Sequence, residues 1–396
     1  MEWFRGQSKV SKIYNRIGDI DMDKRYSIGF IGCGQRCIDI LKEMEKREEF
    51  NIVALSDVSD ENMDITCNTY NKNWDKYSDY KELLKRKDID CVVITSPDWA
   101  HEEQAVAAFE AGKHVFLEKP VAITVSGAER VLNARDKADK ILLIGFVLRY
   151  VRLFKKMKKV IEEGLIGELK TGWVLHSVAM GSDWYFHDWH GLMENTGGLL
   201  LQKGSHDFDI INWVVNSKIK KVSAFGSRDF FGGEKSNDLQ CPNCAERRTC
   251  SEFTEKNRMR KKCAFRQEVD VLDNHQVIVE YQNGVKMSYM ECHYTPDDNR
   301  EFTFIGTKGK LKLDFANDMI EVRLRHGMYD SEEKIVFKNL LSGEGHGGGD
   351  KLILNDLINS LSTGKQPLAG GEEGMEAIRV GLMAHQSINE GKVIEM

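Results

Sequence analysis

The sequence predicts an α/β fold: an N-terminal doubly wound parallel sheet, then an α+β portion built on a mainly antiparallel sheet. Three observations carry that reading. Between Tyr26 and Phe146 short apolar runs alternate with amphipathic helical stretches, the pattern of successive βα units. After Arg149 the alternation stops, and Asn283-Gly284 joins two strand-like runs, 276–281 and 285–291. Asn-Gly supplies the positive φ of a type I′ hairpin turn. The third observation is length, since 396 residues are well beyond a usual domain of about 150.

In order, the parallel strands are predicted at 26–31, 52–55, 91–95, 114–117 and 141–146, each too short for a helix. The first helix sets Cys37, Ile38, Leu41 and Met44 on one face, and a second, 102–111, ends at Gly112. Beyond Arg149 come an amphipathic stretch to Glu163, a strand at 169–178 and a long helical segment from Thr196 to Asn216. The hairpin, strands at 302–305 and 311–315, and helices near 351–361 and 372–390 complete the chain, the last two expected to pack back on the first lobe. The domain reading is an extension at 1–24, a nucleotide-binding domain at 25–148 and a second domain at 149–396, with a Cys-rich insertion at about 227–267.

Composition bounds the function. The chain is 41% hydrophobic and 30% charged with five prolines, a globular balance. A net charge of −6 argues against wholesale binding of nucleic acid or anionic membranes. No run reaches transmembrane length, residues 1–24 lack a signal-peptide pattern, and Cys33, Cys37, Cys67, Cys91 and Cys292 sit among apolar neighbours as free thiols do. The expected compartment is the cytoplasm.

The segment Ile28-Gly29-Phe30-Ile31-Gly32-Cys33-Gly34-Gln35-Arg36-Cys37 lies where an apolar strand passes into a helix, the setting of a dinucleotide fingerprint. Gly32 permits the tight turn, and Gly34 lets the backbone approach a pyrophosphate at the helix N-terminus. Cys37 replaces the third glycine. Asp57 ends the second strand, where a carboxylate accepts from a ribose 2′-hydroxyl and disfavours a 2′-phosphate. The expected cofactor is NAD rather than NADP, with Gln35, Arg36, Ser96 and Glu118 as further cofactor-side candidates. The competing readings are a glycine-rich turn that binds nothing and a merely solvated Asp57.

The fifth run ends in Glu118-Lys119-Pro120, and further on stands Gly197-Gly198-Leu199-Leu200-Leu201-Gln202-Lys203-Gly204-Ser205-His206-Asp207-Phe208-Asp209. With the Gly-x-Gly, these motifs resemble the glucose–fructose oxidoreductase/inositol dehydrogenase (Gfo/Idh/MocA) family from about Tyr26 to the C-terminus. The resemblance implies a Rossmann domain, a C-terminal domain with a large open antiparallel sheet, and a homo-oligomer, dimer or tetramer, built on that sheet. It implies that Lys119 contacts the reacting hydroxyl and the nicotinamide region, directed by a cis or strained proline, and that Arg149 and Tyr150 lie near the substrate. The family's Asp four residues before the His is here Gln202. His206 is then the candidate base, its ordinary pKa lying near neutrality, and Lys203 a candidate to position a hydroxyl or a substrate carboxylate.

Before this stretch, Asp183-Trp184-Tyr185-Phe186-His187-Asp188-Trp189-His190 alternates aromatic and polar groups. Trp184, Trp189 and His190 suit the apolar faces and hydroxyl rim of a sugar, although a packed aromatic loop reads the same way. The expected activity is NAD-dependent hydride transfer from a ring hydroxyl of a sugar, glycoside or cyclitol. Two alternatives stand beside it: redox cycling, in which the substrate is oxidised, cleaved by elimination and re-reduced, and a non-catalytic NAD- or sugar-binding regulator. Finally, Cys241, Cys244, Cys250 and Cys263 begin with a Cys-x-x-Cys pair, which predicts a structural zinc site. Reduced thiols, disulfides or an iron–sulfur cluster are the other readings.

Overall fold

The computed structural model describes residues 25–254, 261–325, 334–342 and 345–396, so the extension at 1–24 lies outside the described residues. A first sheet holds β1 (Tyr26–Ile31), β2 (Phe50–Ser56), β3 (Asp75–Tyr77), β4 (Cys91–Ile94), β5 (His114–Leu117) and β6 (Leu142–Ile144). Their order is β3-β2-β1-β4-β5-β6, every pair parallel. The winding reverses between β1 and β4, which places a crevice at the carboxyl ends of those strands. β4 is buried along its whole length, as a parallel strand covered on both faces requires. β3 was not legible because it is three residues long and largely exposed.

Helices α1 (Gln35–Met44), α2 (Asp60–Tyr70), α3 (Tyr80–Leu84), α4 (His101–Glu110) and α5 (Val125–Ala138) flank this sheet. α1 buries Cys37, Ile40, Leu41 and Met44, so Ile40 takes the place expected for Ile38. α2 and α5 begin under side-chain caps, Ser59 and Thr124 accepting from the N–H groups of Asn62 and Gly127.

The second sheet has nine strands: β7 (Leu169–Ser177), β8 (Ile219–Ser227), β9 (Asn274–Tyr281), β10 (Lys286–Cys292), β11 (Asn299–Gly306), β12 (Gly309–Asp314), β13 (Met319–Leu324), β14 (Lys334–Lys338) and β15 (Ile394–Glu395). The order is β14-β13-β12-β11-β7-β10-β9-β8-β15, antiparallel except for the β7–β10 pair. One face carries helices α6 (Arg152–Glu162), α8 (Leu199–Gln202) and α9 (Ser205–Val215), and a short α7 (Met193–Thr196) precedes α8. The opposite face leaves Trp173, Leu175, Phe225 and Ile278 exposed.

The long helix expected from Thr196 to Asn216 is instead broken. α8 ends at Gln202, and the N–H groups of Lys203 and Gly204 both close on the carbonyl of Leu199, at 2.8 and 2.9 Å. A Cβ on Gly204 would stand 2.8 Å from the carbonyl oxygen of Leu200, so glycine lets this turn tighten before α9 begins. Helices α10 (Gly345–Thr363) and α11 (Gly371–Glu390) return to the first lobe. α11 spans both cores: Ala377 and Ile378 pack in the first, Val380, Met383 and Ala384 in the second.

Candidate active site

The cofactor side is built at the β1–α1 turn. Gly32 has φ +91°, and a Cβ there would stand 2.5 Å from the backbone nitrogen of Ser96; only glycine fits this approach of β1 to the turn after β4. At Gly34 a Cβ would meet nothing within 4 Å, so the backbone faces open space. α1 follows with no side-chain cap and no acid in its first turn, leaving its N–H groups to an anion. Asp57 closes the turn: Oδ2 accepts from Cys33 N at 2.7 Å and Oδ1 from Ser59 N at 2.8 Å. This glycine cradle and carboxylate fit a dinucleotide.

The other cofactor-side candidates are placed differently. Arg36 binds Glu118 Oε1 at 2.6 Å and Asp350 Oδ1 at 2.8 Å, tying α1 to β5 and α10, while its Nη1 is buried without a partner. Ser96 Oγ donates to Gln104 Oε1 at 2.6 Å. Gln35 is exposed and donates to Asp39.

Across the crevice, Lys119 follows β5 and its peptide bond to Pro120 is cis. The Lys119 Nζ donates to the backbone carbonyl oxygen of Gln202, so a residue of the first lobe meets the α8–α9 turn of the second. On that turn Gln202 and His206 are buried, and Gln202 Oε1 and His206 Nδ1 have no hydrogen-bond partner. Burial holds the His206 imidazole well below its ordinary pKa, helped by the positive charges of Lys119, Arg300 and Lys203. Burial also lowers Lys119, against the pull of Asp98. Lys203 drops to about 8, from burial and then from Arg300, and its Nζ lies 5.5 Å from the centre of the Tyr185 ring.

Two residues of this cleft escaped the sequence reading. Asp98, next to Lys119, is buried with Oδ2 unpartnered, and burial pushes its carboxyl up to about 8 despite the lysine. Arg300, on β11, donates from Nε to Asp207 Oδ1 at 3.0 Å. Asp207 is fully buried and also lies 2.7 Å from His176 Nδ1 and 3.0 Å from the Tyr289 hydroxyl; His176 and Arg300 draw its pKa down to about 2 against the effect of burial. Behind it, fully buried Glu291 faces His176, His275 and His293 at 3.5 to 3.7 Å.

Arg149 is not brought to the cleft. Its Nε binds both oxygens of Asp209, at 3.0 and 2.8 Å, its Nη1 donates to the carbonyl of Leu368, and the group is buried. The sequence could not show that partner, 60 residues away. Tyr150 is likewise buried, donating to Asp356 Oδ2 at 2.6 Å.

The aromatic loop is partly core and partly surface. Tyr185 and Phe186 are buried, with Phe186 stacked on Phe231 at 3.9 Å. Trp184 is exposed, and Trp189 stacks on His190 at 3.6 Å and meets Trp99 of the first lobe edge-on at 5.1 Å. His190 Nδ1 is 2.6 Å from Asp188 Oδ1. The Cys-rich insertion braces this loop. Arg266, fully buried, donates to the carbonyls of Phe186 and Asp188 and pairs with Glu268, while His187 meets the carbonyl of Lys262 at 2.6 Å.

The zinc expectation is not supported. Cys241, Cys244, Cys250 and Cys263 are near enough to influence one another's ionisation and all are free thiols. Among the described residues no group of three or more His, Cys, Asp or Glu side chains is arranged to hold a metal. Cys241 Sγ instead lies 3.8 Å from His187 Nδ1 and 3.9 Å from the carbonyl of Lys262, in the brace itself.

Residues 26–146 match the family model for the oxidoreductase family NAD-binding Rossmann fold, and residues 158–396 match its C-terminal alpha/beta domain. The chain belongs to the Gfo/Idh/MocA oxidoreductase family. It is an NAD-binding oxidoreductase of the dehydrogenase type. It is 27% identical over 369 residues to YteT of Bacillus subtilis (strain 168), covering 80% of this chain and 83% of that one. It is 25% identical over 378 residues to a myo-inositol 2-dehydrogenase of Thermotoga maritima, covering 93% and 98%. Its fold also resembles a levoglucosan dehydrogenase solved with NADH and levoglucosan, with TM-score 0.76, 18% identity, and 94% and 99% of the two chains covered. Among the described residues no helix is long and apolar enough to cross a membrane.

Proposed function

We propose that this family member oxidises a ring hydroxyl of a sugar, glycoside or cyclitol, with Lys119 and His206 handling the hydroxyl proton. The observation that carries the reading is the contact of Lys119 Nζ with the Gln202 carbonyl, which sets the lysine against the turn that bears His206. NAD, when bound, supplies the hydride acceptor. Gly32, Gly34, the first N–H groups of α1 and Asp57 would hold it.

Removing hydride from a secondary alcohol requires the hydroxyl proton to leave as well. The cationic Lys119 polarises that oxygen and stabilises its developing negative charge. His206, kept neutral by burial and by the cations around it, is in the state that accepts a proton, and those cations favour passing it on. Trp184 and Trp189 offer ring faces to the sugar. The dehydrogenases acting on myo-inositol and levoglucosan among the similar proteins support a polyhydroxylated ring as substrate. The test is transfer of deuterium from ring-labelled substrates to the nicotinamide.

The same reading makes the protein a homo-oligomer, supported by the exposed Trp173, Leu175, Phe225 and Ile278 on one sheet face. We place it in the cytoplasm, a reading supported by its nine free cysteines.

A further inference from the structure

We infer that the substrate carries a carboxylate, held by Lys203 and Arg300 beside the reacting hydroxyl. This inference rests on the reading of the cleft as a hydride-transfer site and narrows its substrate to a sugar acid, such as a uronate or its glycoside.

Both cations have donors to spare. The Lys203 ammonium carries three, and its recorded contact is the Tyr185 ring; among the described residues no carboxylate oxygen lies within ion-pair distance of it. Arg300 uses Nε on Asp207, and among the described residues its two terminal nitrogens make no hydrogen bond, leaving a planar fork suited to bidentate capture of an oxyanion. The Arg300 charge acts on Lys203, and Tyr185 neighbours all three cations: its ring lies under Lys203, and it acts on both Arg300 and Lys119.

The charge balance points the same way. Gln202 is buried and neutral, with Oε1 unpartnered, and the positive charges of Lys119, Arg300 and Lys203 all act on His206. Burial and the neighbouring Arg300 charge lower Lys203 to about 8, and Asp298, Asp207 and Glu291, which pull the other way, form no direct ion pair with it among the described residues. Asp207 engages Arg300 through Nε alone, so the open terminal nitrogens present the planar fork that matches a carboxylate. With Asp207, Asp298 and Glu291 already nearby, a singly charged carboxylate suits the site better than a phosphate dianion.

The test pairs substrates that differ only at the exocyclic carbon: methyl glycosides of glucuronate, galacturonate, mannuronate and iduronate against the neutral parent sugars and their 6-phosphates. Two readouts are taken on the full chain: calorimetric binding to the NADH-loaded protein, and deuterium transfer from the ring to NAD⁺. The expected result is that at least one uronate binds and reacts with kcat/KM at least about tenfold above its neutral partner. Lys203→Met should reduce the uronate value at least about tenfold more than the neutral value. Turnover of neutral sugars equal to or above that of uronates overturns the carboxylate assignment and leaves the dehydrogenase reading standing. Preference for the phosphates, or no binding of any uronate, also overturns it. Binding of a uronate without any label transfer supports the carboxylate site and overturns the hydride-transfer reading instead.

Discussion

Asp207 accepts a hydrogen bond from Arg300 Nε at 3.0 Å, so the residue directly after His206 anchors the sheet beneath the cleft and not the ligand above it. Two consecutive residues on α9 thus divide the work, His206 at the α8–α9 turn and Asp207 in the floor. Removing Asp207 leaves the Arg300 cation and His176 without their acceptor. Asp207→Ala should destabilise the fold by about 3–5 kcal/mol, the range for breaking a buried pair, read as a lowered urea midpoint without a change in slope.

Lys119→Ala should reduce kcat/KM by about 10² to 10⁴, the usual contribution of a positioned proton-transfer group. Affinity for NADH, titrated by fluorescence, should stay within about threefold, because the glycine cradle and Asp57 are untouched. An equal loss of both would make Lys119 a cofactor anchor.

Stability should peak near pH 6.5 and fall on both sides. On the acid side, burial holds His176, His275 and His385 neutral to about 4, 3 and 4, whereas in the unfolded chain they protonate near 6.5. The unfolded state therefore binds more protons between those values, and stability drops as pH falls. Asp98 and Asp209 oppose this, their folded pKa values being raised to about 8 and 6, but two carboxyls do not outweigh three histidines. Through pH 7 the contribution of the histidines fades as they lose their protons in the unfolded chain too, and the proton on Asp98 is retained only in the folded state. Lys203, lowered to about 8, opposes this because the unfolded chain keeps its proton longer, so the decline is shallow, well under about 1.4 kcal/mol per unit, and levels off near pH 8. Urea unfolding at pH 5, 6.5 and 8 checks both limbs, and Asp98→Asn should flatten the alkaline one.

Much of this architecture was legible in the sequence because parallel strands buried on both faces read as short apolar runs. The position of Lys119 at the end of one of them was legible for the same reason, while its role is what the family resemblance implies. What escaped depended on distant partners. Arg149 looks like a cleft residue until Asp209 is seen to hold it. Arg300 lies at the polar start of β11, ahead of its buried Phe302 and Phe304, and Asp98 stands in the turn after β4; nothing local to either shows that it belongs to the cleft. The segment 196–216 has helical composition throughout, and its break depends on how closely Gly204 packs on Leu200.

The insertion offers a separate check. Arg266→Met strips the brace from the carbonyls of Phe186 and Asp188, at about 1–3 kcal/mol for each buried acceptor left unpaired. Thermal unfolding should shift down, and on the proposed function, in which the aromatic loop contacts the sugar and Lys119 and His206 move the proton, KM should rise more than kcat falls.

Phe225→Asp, on the open sheet face, should lower the molecular mass measured by light scattering to that of a single chain. An unchanged oligomer would place the interface elsewhere.

The central claim is that Lys119 and His206 serve hydride transfer from a sugar ring to NAD. Its most direct test is incubation with NAD⁺ and ring-deuterated sugars, glycosides, sugar acids and cyclitols, followed by mass spectrometry of the nicotinamide. Deuterium should accumulate in reduced cofactor, and Lys119→Ala should abolish it. Label that passes through the cofactor with substrate cleavage and no net NADH would replace net oxidation by redox cycling, and NAD binding with no label from any ring would contradict the claim.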